Sequence, residues 1–189
     1  MAVVCVYCSS SDGIAPRYLD LARNLGTGLA AAGHSLVSGG GRVSMMGAVA
    51  AAARAGGAHT VGVIPAHLIP LEVADVDADE LLVVDTMRER KHVMDERADA
   101  FLALPGGIGT LEELFEVWTA LSLTMHDKPV IVLDPEGFYE PLWDFLRRLR
   151  TEGFVRQSAL DAVQVVRTVD AALQVLSLRA AHRRAPGTP

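Results

Sequence analysis

Short, nearly continuous apolar runs alternate with helix-length segments from one end of this chain to the other. The runs read as strands at 3–7, 35–37, 60–64, 81–84, 100–104, 130–133 and 163–166. Between them, periodicity and stop signals predict helices over 16–32, 45–55, 88–97, 111–123, 138–149 and 171–178. Pro16 and Gly33 bracket the first helix, and Gly56-Gly57 close the second. Strands this apolar are buried on both faces, and a repeating strand–helix–strand order makes them parallel. The expected fold is α/β, a Rossmann-like doubly wound parallel sheet with helices on both faces. With 189 residues, it forms one domain over 1–179. Residues 180–189 are expected to be a disordered tail.

Sheets of this kind bind ligands at the carboxyl ends of their strands. Three polar, glycine-bearing loops fall there: Ser9 to Gly13, Gly39 to Gly41, and Gly106 to Gly109. The most informative is Pro105-Gly106-Gly107-Ile108-Gly109-Thr110-Leu111-Glu112-Glu113. Glycines between a strand and a helix let the backbone approach a ligand with N–H groups pointing inward. The helix N-terminus adds partial positive charge, so a phosphate is the natural guest. Glu113, one turn into the helix, does nothing for phosphate affinity and points to chemistry on whatever the phosphate carries. Thr110-Leu111-Glu112-Glu113 also fits the S/T-x-x-E capping box, with Glu113 bonded back to the Thr110 N–H. Both readings stay open at this point.

The formal net charge of -6 and the lack of a Lys/Arg block argue against non-specific nucleic-acid binding. No apolar run approaches the ~18 residues of a membrane span. The N-terminus lacks the basic n-region of a signal peptide, so the chain reads as cytoplasmic. Cys5 and Cys8 form a C-x-x-C. Residues three apart on a strand face opposite ways, and no second pair completes four zinc ligands, so both are expected to be buried strand residues. The six histidines show no metal spacing, and neither H-E-x-x-H nor G-x-S-x-G occurs. No metal or cofactor is expected.

Met87-Arg88-Glu89-Arg90-Lys91 starts a charged helix just before the strand that feeds the main loop. Met87-x-Glu89-Arg90-Lys91, then Pro105-Gly106-Gly107-x-Gly109-Thr110-x-x-Glu113, then His126-Asp127-Lys128-Pro129 resemble the LOG family. These are cytokinin-activating phosphoribohydrolases, long mislabelled as lysine decarboxylases. Val6-Tyr7-Cys8-x-Ser10-Ser11 and Gly39-Gly40-Gly41-x-x-x-Met45-Met46-Gly47 extend the resemblance over roughly residues 3–155. Two positions depart from it: the family usually has Gly where this chain has Ser9 and Ser44.

The resemblance implies a dimeric Rossmann-like protein with its pocket near the subunit interface. It also implies hydrolysis of the N-glycosidic bond of a nucleoside 5′-monophosphate. The products would be an adenine-type base, plain or N6-modified, and ribose 5-phosphate. Carried over residue by residue, the catalytic arginine and glutamate fall on Arg90 and Glu113. The nucleotide-contacting positions fall on Glu72, Lys91 and the loop Gly106-Gly107-Ile108-Gly109-Thr110.

The chemistry fits those residues. Breaking an N-glycosidic bond builds positive charge on the sugar, which a carboxylate at Glu113 stabilises while orienting the attacking water. Arg90 cannot act as a base, but it can hold the phosphate or position Glu113. Glu72 can accept hydrogen bonds from a ribose hydroxyl or the base. A pyridoxal-dependent decarboxylase needs a Schiff-base lysine, and only Lys91 and Lys128 are available. The alternative is a non-catalytic nucleotide or molybdenum-cofactor carrier on the same scaffold. Arg90 together with Glu113 favours the enzyme.

Assembly is also legible in outline. Leu111, Leu114, Phe115, Trp118 and Leu121 recur at helical spacing and should face the sheet. Val117, Ala120 and Leu123 lie off that stripe and need another cover. That cover is either the protein's own last helix or the same helix of a second subunit, and the resemblance favours a homodimer.

Overall fold

The computed structural model describes the backbone of residues 1–184 and the side chains of residues 1–178 other than position 72. The apolar runs become strands β1 (Val3–Tyr7), β2 (Ser35–Ser38), β3 (Thr60–Pro65), β4 (Glu80–Val84), β5 (Ala100–Ala103), β6 (Val130–Leu133) and β7 (Val163–Val166). The helices are α1 (Pro16–Ala31), α2 (Ser44–Ala55), α3 (Ile69–Glu72), α4 (Met87–Arg97), α5 (Ile108–Ser122), α6 (Glu140–Thr151), α7 (Gln157–Asp161) and α8 (Val169–Arg184). Among the described residues the strands form one seven-stranded parallel sheet in the order β4-β3-β2-β1-β5-β6-β7. This is the doubly wound architecture that the alternation predicts.

Strand alternation sorts the core into two layers. Val4, Val6, Leu36, Leu102 and Ile131 point to one face, where Leu25 and Leu29 of α1, Met45 and Val49 of α2, and Leu176 of α8 cover them. Cys5, Tyr7, Val37, Phe101 and Val132 point to the other, under Met94 of α4, Leu114 and Trp118 of α5, and Leu146 of α6. All four residues of β6 are fully buried, as a central parallel strand requires. Cys5 and Cys8 are both buried and fall in opposite layers.

Three features differ from expectation. The helices α3 and α7 and a 3-10 turn at Ala66–Leu68 were not foreseen, because elements of three to five residues carry no readable period. The last helix runs to Arg184, into the stretch expected to be a tail; residues 185–189 of that stretch lie outside the described ones. Finally, α8 packs on α1, β6 and β7, across the sheet from α5, so it cannot cover α5's outer side. Val117 needs no such cover, since it is already in the core. Trp118 is held from the α7 side, its indole N–H donating to the Ala159 carbonyl at 2.6 Å. Leu123 stays 62% exposed.

Asp134, fully buried at the end of β6, shapes the turn into α6. Its carboxylate accepts the N–H groups of Phe138 at 2.7 Å and Tyr139 at 3.0 Å. Tyr139 in turn donates its hydroxyl to the Leu104 carbonyl at 2.9 Å, bracing the start of the third glycine loop. Replacing Asp134 by Ala strands buried donors, so Asp134→Ala should cost about 2–3 kcal/mol. Denaturant melts check this: a loss under about 0.5 kcal/mol would mean that the turn holds without the carboxylate.

Candidate active site

The strand order brings the three glycine-bearing loops together, because β2, β1 and β5 are immediate neighbours. The chain runs outward from β1 to β4 and returns to β5 on β1's other side. Loops diverge at that reversal and leave a crevice at the carboxyl edge.

Gly107 is the N-cap of α5, and no side chain caps the helix. The helix starts at Ile108, three residues earlier than its periodicity suggests, so Thr110 lies inside it rather than at its cap. The capping-box reading of Thr110 and Glu113 therefore falls. Thr110 is buried, folded under the loop against Gly106. A Cβ on Gly106 would lie 2.1 Å from the Thr110 hydroxyl, so only glycine fits there. Gly107 and Gly109 have nothing within 4 Å of a would-be Cβ, which leaves the mouth of the loop open.

Arg90 sits in the first turn of α4 and is only 5% exposed. Its Nε donates to the Val63 carbonyl at 3.1 Å and its Nη2 to the Gly39 carbonyl at 2.8 Å. The guanidinium thus ties together the ends of β3 and β2. Gly39 must be glycine, since a Cβ would sit 1.7 Å from that Nη2. Glu113 is partly buried on α5. Burial pushes the Cys5 thiol and the Tyr7 phenol up, and the negative charge of Glu113 pushes both further. Arg90 pulls Cys5 the other way. Both charges therefore act on the same buried end of β1.

Lys91, next in sequence, takes a different direction. Its ammonium pairs with Glu112 and Glu116 on α5, the latter at 2.7 Å. Burial works against that charge, but the two carboxylates outweigh it and hold the Lys91 pKa above its ordinary value. Lys128 is likewise occupied, donating to the carbonyl and carboxylate of Asp95 at 2.6 and 2.7 Å. Among the described residues, no group of three or more His, Cys, Asp or Glu side chains is placed to hold a metal ion.

Glu72 closes α3, and the segment just after it lies on the second glycine loop. The two serines that replace the usual glycines both engage Ser11. The Ser11 N–H donates to Ser9 Oγ at 3.1 Å, and Ser44 Oγ donates to the Ser11 carbonyl at 2.7 Å. Ser44 has a φ of 51°, a left-handed conformation in which glycine is unstrained. The hydrogen bond to Ser11 offsets that strain and links the first two loops. Sequence reasoning missed this tie, as it missed Tyr139 and the buried Asp75. Asp75 lies in an acidic stretch that reads as solvated, and nothing in its neighbours marks it.

The open mouth of the third loop has a measurable consequence. Alanine is the better helix former by about 1 kcal/mol, so Gly109→Ala should leave stability equal or higher. Its methyl would occupy space that an anion needs, and the affinity for inorganic phosphate as a probe should fall roughly tenfold or more. Thermal melts and calorimetric titration test the pair of effects. Unchanged affinity would show that the anion does not sit there.

No helix among the described residues is long and apolar enough to cross a membrane. The family model described as "possible lysine decarboxylase" matches residues 46–176. The chain is 52% identical to the cytokinin riboside 5′-monophosphate phosphoribohydrolase of Mycobacterium marinum, over 90% of this chain and 91% of that protein. It is 51% identical, with the same coverage, to the protein of that name in Mycobacterium tuberculosis. The molybdenum cofactor binding protein of Rippkaea orientalis superposes with a TM-score of 0.71 over 94% of this chain and 96% of that one. At 21% identity, that likeness concerns the fold alone. A family match across most of the chain and the near-complete span of relatives about half identical establish that the chain belongs to the LOG family, the possible lysine decarboxylases of the older description.

Proposed function

We infer that this protein hydrolyses the N-glycosidic bond of adenosine 5′-monophosphate and its N6-modified forms, releasing the free base and ribose 5-phosphate. The uncapped N-terminus of α5, with Glu113 further along the same helix, carries the reading. The phosphoribohydrolase activity for which relatives 51–52% identical are named supports it. The 5′-phosphate rests on the Gly106–Thr110 backbone, where N–H groups and the helix dipole converge. That anchor aims the ribose at Glu113.

As the C1′–N bond breaks, its electron pair leaves with the base, which takes a proton from solvent. Positive charge grows on C1′ and the ring oxygen, where the Glu113 carboxylate stabilises it. Water adds to C1′, and its proton passes to Glu113 and on to solvent. Arg90 stays cationic throughout. Held by two backbone carbonyls, it is a fixed positive charge that positions Glu113 or steadies the phosphate. Gly107, Ile108 and Gly109 complete the phosphate side and Glu72 meets the ribose or the base, while Lys91, its ammonium taken by Glu112 and Glu116, steadies the helix that carries Glu113 rather than the phosphate itself. A molybdenum-cofactor carrier would need none of this chemistry and would release no adenine.

Incubating the protein with AMP and detecting free adenine is the direct test. Glu113→Gln should lower the rate by about 10² to 10³ without unfolding the protein. Adenosine, which lacks the anchor, should be a far poorer substrate by kcat/KM. Near-wild-type turnover in Glu113→Gln, or equal use of adenosine and AMP, would overturn the assignment.

The active form in this reading is a homodimer in the cytosol. Ile108 and Leu123 at the two ends of α5, with Met125 and Phe154 nearby in sequence to α5 and α7, are 89%, 62%, 74% and 79% exposed. Apolar side chains so exposed at the glycine-loop helix are accounted for by a second copy packed two-fold across it. Sedimentation at micromolar concentration should give the dimer mass. A monomer with full activity would refute this arrangement.

A further inference from the structure

The segment that follows Glu72 is held in an unusual way. Val73 has a φ of 50° and a ψ of 96°, a backbone conformation that a β-branched residue adopts only under constraint. The constraint is visible on both sides of it. The Arg42 N–H donates to the Val73 carbonyl at 2.8 Å, Gly41 bridges Ala74 in antiparallel fashion, and the Asp75 N–H donates to the Gly40 carbonyl at 2.8 Å. Residues 73–75 are thus stitched to the second glycine loop. Arg90 grips that same loop through the Gly39 carbonyl.

The side chain of Asp75 then turns inward. At 2% exposed, it is one of two buried carboxylates among the described residues, with Asp134. Both of its oxygens are taken by the fork of Arg54, Nη1 at 3.0 Å and Nη2 at 3.1 Å. Arg54 belongs to the last turn of α2, the helix that the second glycine loop itself begins. It also reaches the Thr60 hydroxyl at 3.4 Å, and Asp79 accepts from the Thr60 hydroxyl at 2.9 Å and from its N–H at 2.8 Å. The circuit closes: glycine loop, α2, Arg54, Asp75 and back to the loop. The backbone end of α3 hangs from it through Val73.

We propose that Arg54 and Asp75 are positioning residues, a buried bidentate ion pair that fixes the end of α3 beside the second glycine loop and thereby governs nucleotide binding without touching the nucleotide. This rests on the phosphoribohydrolase reading and on the substrate contact that the family resemblance gives Glu72. A bidentate pair suits the task, because its two parallel hydrogen bonds fix direction as well as distance. A pair that served stability alone would leave substrate affinity untouched.

The test compares the full-length Asp75→Asn, Arg54→Lys and Glu72→Gln variants with wild type, measuring AMP hydrolysis, melting temperature and amide hydrogen exchange over residues 66–79. The Asn variant keeps the shape and loses the charge. The Lys variant keeps the charge and loses the fork, and is the milder change if the Asn variant folds poorly. Expected for both is a KM for AMP raised roughly tenfold, as for one lost charge-assisted hydrogen bond, with kcat within about threefold of wild type. Glu72→Gln should show the same split. Combining Asp75→Asn with Glu72→Gln should add little beyond the worse single change. Exchange should quicken over 66–79 and not in α5. A lowered melting temperature with unchanged KM would overturn the proposal, as would a normal KM in Glu72→Gln beside a raised one in Asp75→Asn. If wild type releases no adenine, the functional reading fails by itself; the clamp is then judged by exchange, and unaltered exchange in Asp75→Asn overturns it.

Discussion

All seven strands run in one direction, so every loop that leads from a strand into a helix leaves the sheet by the same edge. The site depends on that constraint. Residues far apart in sequence, in the loops after β1, β2 and β5, are brought together because β2 and β5 flank β1. The parallel ladder also leaves unpaired carbonyls at the carboxyl ends of the strands and unpaired N–H groups at the starts of the following helices. One edge thus offers acceptors for a cation and donors for an anion a few ångströms apart.

Arg90 uses the acceptors. Burying a guanidinium to 5% exposure is expensive unless its N–H groups are satisfied. The Gly39 and Val63 carbonyls do this, and the absence of a side chain on Gly39 is what lets the guanidinium come so close. Lys91 could not replace it, since an ammonium lacks the planar fork. It serves instead as a point charge against Glu112 and Glu116, holding α4 to α5. Two consecutive residues on one helix thus secure two different neighbours: the sheet edge and the helix that carries Glu113.

The T-x-x-E pattern occurs twice in the chain, and the two copies do opposite things. At Thr86-Met87-Arg88-Glu89 the threonine accepts the Glu89 N–H at 3.1 Å, and Glu89 reaches back to the Asp85 N–H at 2.9 Å, so α4 is capped by its own side chains. At Thr110-Leu111-Glu112-Glu113 the helix has already begun at Ile108, and Thr110 is buried beneath the loop. The first turn of α5 keeps its N–H groups free of side-chain caps. A capped helix start has little left to offer an anion, whereas this one does.

Hydrophobic periodicity and glycine placement were enough to read the seven strands, the longer helices, the doubly wound parallel sheet and the opposed faces of Cys5 and Cys8, because these are local consequences of side-chain period and backbone freedom. The identities of Arg90 and Glu113 as candidates came from a recognisable motif. What the chain could not reveal by local pattern was adjacency and satisfaction. Whether Thr110 caps or packs, which acids Lys91 meets, that Asp75 is buried against Arg54, and that Ser9 and Ser44 converge on Ser11 all depend on which segments the sheet brings side by side. Such contacts are long-range choices among many equally polar partners. Only the packed fold, by burying some of those groups and leaving others to water, decides between them.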